Sequence, residues 1–221
     1  MLIVFLVIVL DLIGFGIMVP IMAYYVVQLG GGPELATFCM ALYAIGMFIA
    51  TPILGRLSDF YGRRPILMLS MVGAIIGYLM LGFAQSLWVV ALSRLLAGLM
   101  AGNISAAQAY ITDITSEENR AKGMGMIGAA FGLGFIIGPA LGSYLAGDDF
   151  ATANLFLPAM VSTGLSAAAL LAINFALPES LDDEHRQALR QQPHPGRITL
   201  LTTLWTRPLI PHILVGVLIY N

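Results

Sequence analysis

Two ionisable side chains stand inside long apolar runs: Asp11 within residues 3–27 and Arg94 within residues 88–112. Placing such a charge in hydrocarbon costs about 2.5–3.5 kcal/mol on insertion scales, so residues of this kind face a cavity or a partner and mark an ion or substrate path. A structural ion pair, or snorkelling toward the nearer interface, satisfies the same chemistry. At about 100° per residue, Gly98, Ala101, Ser105 and Gln108 fall on the Arg94 face and Asn103 falls opposite. The result is one polar, small-residue face suited to a water-filled cavity. Asp11 shares its face with Phe15, Met18, Met22 and Tyr25, a stripe that serves helix packing as readily as substrate contact.

A second concentration of charge lies at Gly55-Arg56-Leu57-Ser58-Asp59-Phe60-Tyr61-Gly62-Arg63-Arg64-Pro65, between two stretches too apolar for a water-soluble surface. Its residue types suit a tight polar turn. Gly62 tolerates positive φ, and Pro65 fits the first turn of a following helix. Asp59 and Arg63 are four residues apart and within reach of a local ion pair. Asp113 closes the apolar run that holds Arg94.

The elements that must position these residues follow from composition. Hydrophobic residues make up 59% of the 221-residue chain and charged residues 10%, against roughly 45–50% and about 25% in soluble domains. A span needs about 20 mostly apolar residues. Six such stretches occur, near 3–27, 35–54, 66–84, 88–112, 122–146 and 154–176. The expected fold is an all-α membrane protein. Residues 1–177 form a six-span bundle, 178–208 an inter-bundle linker in which 182–191 suits a solvated segment or a surface helix, and 209–221 the start of a seventh span. The second half of such an architecture, a carboxy-terminal six-span bundle, is then expected as a partner beyond Asn221. No basic leader precedes the first span, which argues against a signal peptide.

Charge orients the bundle. Nine of the ten Lys and Arg residues fall after the even-numbered spans, and the odd-numbered connections hold only Glu34, Asp148 and Asp149. The positive-inside rule therefore puts the even loops and the amino terminus in the cytoplasm. Several function classes fall away at this stage. The segregated charges form no basic face for nucleic acid. The single cysteine, Cys39, permits neither a disulfide framework nor a multi-Cys metal site and suits packing in a helix. His185, His194 and His212 are scattered, with no nucleophile and base arranged for catalysis. Gly123-Met124-Gly125-Met126-Ile127-Gly128 spells a dinucleotide fingerprint, but no strand precedes it and a membrane span follows. No enzyme, no metal site and no cofactor is expected.

Four of these segments resemble motifs of the major facilitator superfamily. The loop Gly55 to Pro65 matches the signature after span 2, and Arg94-Leu95-Leu96-Ala97-Gly98 is similar to the Arg-x-x-x-Gly motif of span 4. Gly134-Phe135-Ile136-Ile137-Gly138-Pro139-Ala140-Leu141-Gly142 resembles the antiporter motif of span 5. Leu10-Asp11-Leu12-Ile13-Gly14-Phe15-Gly16-Ile17-Met18-Val19-Pro20 is similar to the drug/proton antiporter branch, tetracycline efflux pumps especially. Together they cover residues 10–142.

The resemblance implies antiport of small amphipathic molecules against protons across the cytoplasmic (inner) membrane by alternating access, powered by the proton gradient. Asp11 would carry the proton, and Arg94, Ser105 and Gln108 would line the cavity. Gly55, Asp59, Gly62, Arg63, Arg64 and Asp113 would form a cytoplasmic gate, with Arg63 meeting Asp113 in the outward-facing state and Asp59 facing a helix amino end in the second bundle. Gly134, Gly138 and Gly142 permit close helix approach and Pro139 favours a bend. In the family this bend is implied to seal the cavity. The substrate is less defined: the acidic residue expected in span 3 of tetracycline pumps is missing from Leu67 to Ala84, and Ala23 stands where a second proline is expected. A facilitator or symporter for a sugar or organic acid keeps the same fold, and a non-transporting membrane protein is the remaining class.

Overall fold

The computed structural model describes residues 1–147 and 153–181. The linker past Leu181, the segment 182–191 and the expected seventh span at 209–221 lie outside the described residues. The described residues form seven α-helices: α1 (Leu2–Gln28), α2 (Pro33–Tyr61), α3 (Arg63–Gly82), α4 (Leu87–Met100), α5 (Asn103–Ile114), α6 (Arg120–Ala146) and α7 (Phe156–Ala176). Six helical units are long and apolar enough to cross a membrane, α4 and α5 together making the fourth, Leu87–Ile114. The expected six-span, all-α architecture is therefore present among the described residues.

One boundary differs. The stretch Gly55 to Pro65, expected as a loop, is almost wholly helical: α2 runs on to Tyr61 and α3 begins at Arg63. Gly62 alone turns the chain, at φ 107° and ψ 157°, a region essentially closed to residues with a Cβ. Local polar pairing satisfies this end of α2. Ser58 is fully buried and donates to the Gly55 carbonyl at 2.6 Å.

Packing is helix on helix. The first helix packs most extensively on α6 and also meets α7 and α2, while α2 packs on α4 and α3 lies between α4 and α7. Close approach comes from missing side chains. A Cβ on Gly138 would sit 2.6 Å from the Gly16 Cα, and one on Gly16 would sit 2.7 Å from the Gly134 carbonyl oxygen. Likewise Gly46 of α2 meets the Leu95 carbonyl, and Gly98 of α4 meets the Tyr43 carbonyl, so α2 and α4 touch backbone to backbone. Membrane helices gain van der Waals contact in this way, without a hydrophobic drive between them.

The outward faces are apolar. Phe48 is 82% exposed and Phe175 81%, with Ile136 and Trp88 similarly open. That surface suits lipid, and the chain is a multi-pass membrane protein.

Candidate functional site

Two polar sites are enclosed by this packing, one at mid-bundle and one at the end where α2 turns into α3. The mid-bundle site begins with Asp11 on α1. Its Oδ2 accepts a 3.1 Å hydrogen bond from Asn103 Nδ2 at the start of α5. Asp11, Phe15, Tyr43, Ser70, Tyr78 and Asn103 line a cavity of about 20 Å³. That space admits one water or a proton relay; it is far too small for a drug-sized molecule.

Helical phase puts Asn103 on the face opposite Arg94, and in the structure its amide meets Asp11. A break at Ala101–Gly102 separates α4 from α5. There Ile104 N–H reaches back to the Ala101 carbonyl at 3.5 Å and Ser105 N–H to the Gly102 carbonyl at 3.3 Å. Such i to i−3 bonds turn the chain through about 120° per residue rather than 100°, so phase carried past the break is shifted. Gly102 permits the break to press on α2, since a Cβ there would meet the Ala50 backbone at 2.8 Å.

The other expected cavity residues are distributed around this centre. Ser105 donates to the Thr51 carbonyl of α2 at 3.0 Å and to Gly102 at 2.7 Å, so its hydroxyl is committed to the helix contact. Gln108 is exposed on the surface of α5. Arg94 is 1% exposed, with Nε and Nη2 buried and without hydrogen-bond partners. Its guanidinium carbon lies 5.8 Å from the Tyr78 ring centroid, within cation–π range. Tyr78 thus touches both polar groups: its ring supports Arg94 and its side chain lines the Asp11 cavity. Of the stripe sharing the Asp11 face, Met18, Met22 and Tyr25 are packed core, and only Phe15 reaches the cavity, stacked on Tyr43 with centroids 4.6 Å apart.

At the α2–α3 turn Arg63 is 6% exposed yet holds three side-chain partners. Its Nη1 donates to Ser58 Oγ at 2.7 Å and pairs with Asp59, and its Nε donates to Asp113 Oδ2 at 3.1 Å. The expected Arg63–Asp113 pair is therefore formed, and Asp59 makes the local i, i+4 pair. Gly55 lies against Ser105, where an added Cβ would meet its Oγ at 3.3 Å. Arg64 donates from Nη2 to the Asn174 carbonyl at the end of α7.

Sequence reasoning missed three members of this cluster. Glu179 accepts the backbone N–H groups of Arg63 and Arg64 at 2.9 and 3.2 Å, capping α3. Ser180 donates to Asp113 Oδ2 at 3.1 Å, and Tyr110 donates to the Pro178 carbonyl at 3.0 Å. The start of the linker is thus fastened to the turn. A carboxylate just after an apolar span was the only signal for Glu179, and it reads equally as a solvated linker charge.

The third feature is the glycine series of α6. Gly134, Gly138 and Gly142 all face α1, meeting Leu12, Gly16 and Ile17. Pro139 lies inside the helix, its Cδ 3.2 Å from where a Gly16 Cβ would stand. This seam fixes the helix that carries Asp11. On another side of α6, Gly125, Gly128 and Gly132 would have open space around an added Cβ.

Comparison with known proteins places these features in context. The Major Facilitator Superfamily model matches residues 4–221. The chain is 40% identical over 146 residues to the tetracycline resistance protein, class H, of Pasteurella multocida, covering 65% of this chain and 36% of that protein. It is 37% identical over 156 residues to the class B protein of Escherichia coli, covering 69% and 39%. Its fold is similar to the crystal structure of the human organic anion transporter MFSD10, with a TM-score of 0.70 and 27% identity over 83% of this chain and 48% of that one. The chain spans less than half the length of these relatives.

Proposed function

We propose, from the premise that this chain belongs to the Major Facilitator Superfamily, that it is part of a proton-coupled antiporter exporting small amphipathic molecules by alternating access. The observation that carries the reading is Asp11, held beside Asn103 in a cavity of about 20 Å³. A site of that size suits a proton and leaves the substrate to a larger space between two bundles rocking about the midplane. Similarity to proteins named for tetracycline resistance supports efflux.

In this reading residues 1–177 are one bundle, 178–208 the linker and 209–221 the beginning of a second bundle. Arg94 and the exposed Gln108 face the substrate path, with Ser105 holding the helix contact beside it. The protein is a transporter without a cofactor, driven by the proton gradient, in the cytoplasmic membrane with its amino terminus inside. Arg63, Asp59 and Asp113 then form a cytoplasmic latch on the turn at Gly62. The α1–α6 glycine seam, with Pro139, keeps the cavity closed to uncoupled protons.

The test is Asp11→Asn in the full-length protein, with efflux driven by a pH gradient in liposomes. Loss of pH-driven efflux is expected; unchanged coupling removes Asp11 from the mechanism. A second reading, an organic-anion carrier, is favoured by the two unpartnered guanidinium nitrogens of buried Arg94 and by the likeness to MFSD10. Competition between a tetracycline and an aromatic carboxylate in the same liposomes separates the two.

A further inference from the structure

Asn103 presents Asp11 with a donor and keeps an acceptor in reserve. Its Nδ2 is committed to Asp11 Oδ2 at 3.1 Å, whereas its Oδ1 is buried with no partner, and the residue is only 5% exposed. An ionised carboxylate only accepts hydrogen bonds, while a protonated carboxyl must also donate one. A buried O–H without an acceptor is expensive. A primary amide answers both states, because rotation of its terminal group exchanges NH₂ for C=O about a broad, soft torsion.

Asn103 is the side chain that the structure hydrogen-bonds to Asp11. The titratable groups facing Asp11 are Tyr43 of α2 and Tyr78 of α3, and Arg94 of α4 acts on those two tyrosines. On α5, Tyr110 and Asp113 lie toward the opposite end from Asn103, those of α6 (Arg120, Lys122, Tyr144) stand near its ends, and α7 carries none. Arg94 carries donors only, and the hydroxyls of Tyr43 and Tyr78, which line the same cavity, are acceptors that the structure does not hydrogen-bond to Asp11. Ser70 Oγ, also buried without a partner, lines the same cavity but lies on α3.

We propose that Asn103 is the positioning residue for Asp11, receiving its carboxyl in both charge states by reversing its amide. This rests on Asp11 being the proton carrier of the antiporter. The helix break at Ala101–Gly102 is what brings the amide to the carboxyl, so the device depends on the fold as well as on the side chain.

The experiment uses the full-length protein in liposomes. Infrared difference spectra on a pH step give the protonated carboxyl band of Asp11, identified by its loss in Asp11→Asn. In Asn103→Leu that band is expected to move to higher wavenumber, because the carboxyl has lost its acceptor. Net pH-driven transport should fall about tenfold, the scale of one lost charge-assisted hydrogen bond, with KM for the substrate unchanged. Asn103→Ser, which still donates and accepts, should restore much of both. Asn103→Ala removes the amide without adding bulk and gives the same readings where the leucine variant does not fold. An unmoved band in the leucine and alanine variants overturns the proposal. So does an equal loss of transport and substrate binding, which marks a merely structural role. If the band moves but the parent protein shows no pH-driven transport, the pairing stands and the antiporter reading is what fails.

Discussion

Glu179 caps α3 through the backbone N–H of Arg63, its Oε1 2.9 Å from that nitrogen. The same carboxylate accepts from Arg64 through Oε2, so the first residues after α7 complete the turn between α2 and α3. Replacing Glu179 with Ala removes an anionic cap, worth about 1–2 kcal/mol by the usual range for helix caps. A Tm several degrees lower in detergent is expected, with Glu179→Gln losing less. An unchanged Tm in both would show that the cap carries no stability.

Arg63 holds Ser58, Asp59 and Asp113 from a site 6% exposed. Lysine supplies charge but neither the planar fork nor enough donors in fixed directions. Arg63→Lys is therefore expected to slow transport about tenfold, consistent with one or two lost charge-assisted bonds. A double-mutant cycle with Asp113→Asn should return a coupling of about 0.5–3 kcal/mol in thermal stability. Strict additivity would contradict a working pair.

Alanine at two α6 glycines should give opposite results. At Gly138 the new Cβ meets Gly16 Cα at 2.6 Å, and backbone cannot yield as a side chain would. Destabilisation of about 1–3 kcal/mol is expected from overpacking. At Gly132 the space is open, and alanine should be neutral or add up to about 1 kcal/mol through helix propensity. Unfolding of the purified variants by denaturing detergent decides it. Equal effects would mean that the α1–α6 seam is not tight.

In the antiporter reading, Arg94 should separate folding from transport. Its burial is met by the Tyr78 ring, a contact worth about 0.5–2 kcal/mol, which falls short of the several kcal/mol of desolvation per buried ion. Arg94→Met should hence leave Tm equal or higher while transport falls about tenfold or more. A large drop in Tm would assign Arg94 to structure instead.

The six spans were legible because a bilayer demands long apolar runs, and Leu2–Gln28 or Phe156–Ala176 admit no other reading. Asp11 and Arg94 stood out for the converse reason, as charges where charge is costly. The Asp11–Asn103 pair was hidden because helical phase assumes an unbroken ladder, and two residues at Ala101–Gly102 reset it. Glu179 was hidden because capping across 116 positions is a tertiary event, while its neighbours in sequence look like linker. The Arg63–Asp113 contact joins residues 50 apart and was foreseen only through family resemblance.

A joint made of one residue has no slack. At Gly62 a helix of 29 residues passes directly into one of 20, so the chain has nowhere to absorb a length change. An added or deleted residue there would reorient α3 and swing Arg63 away from Asp113. Length variation among homologues should therefore be absent at this joint and concentrated at the opposite ends of the helices. The two helices therefore meet at a single glycine, and what fixes their relative setting is the cluster around it: Glu179 on the α3 backbone and Arg63 on Asp113.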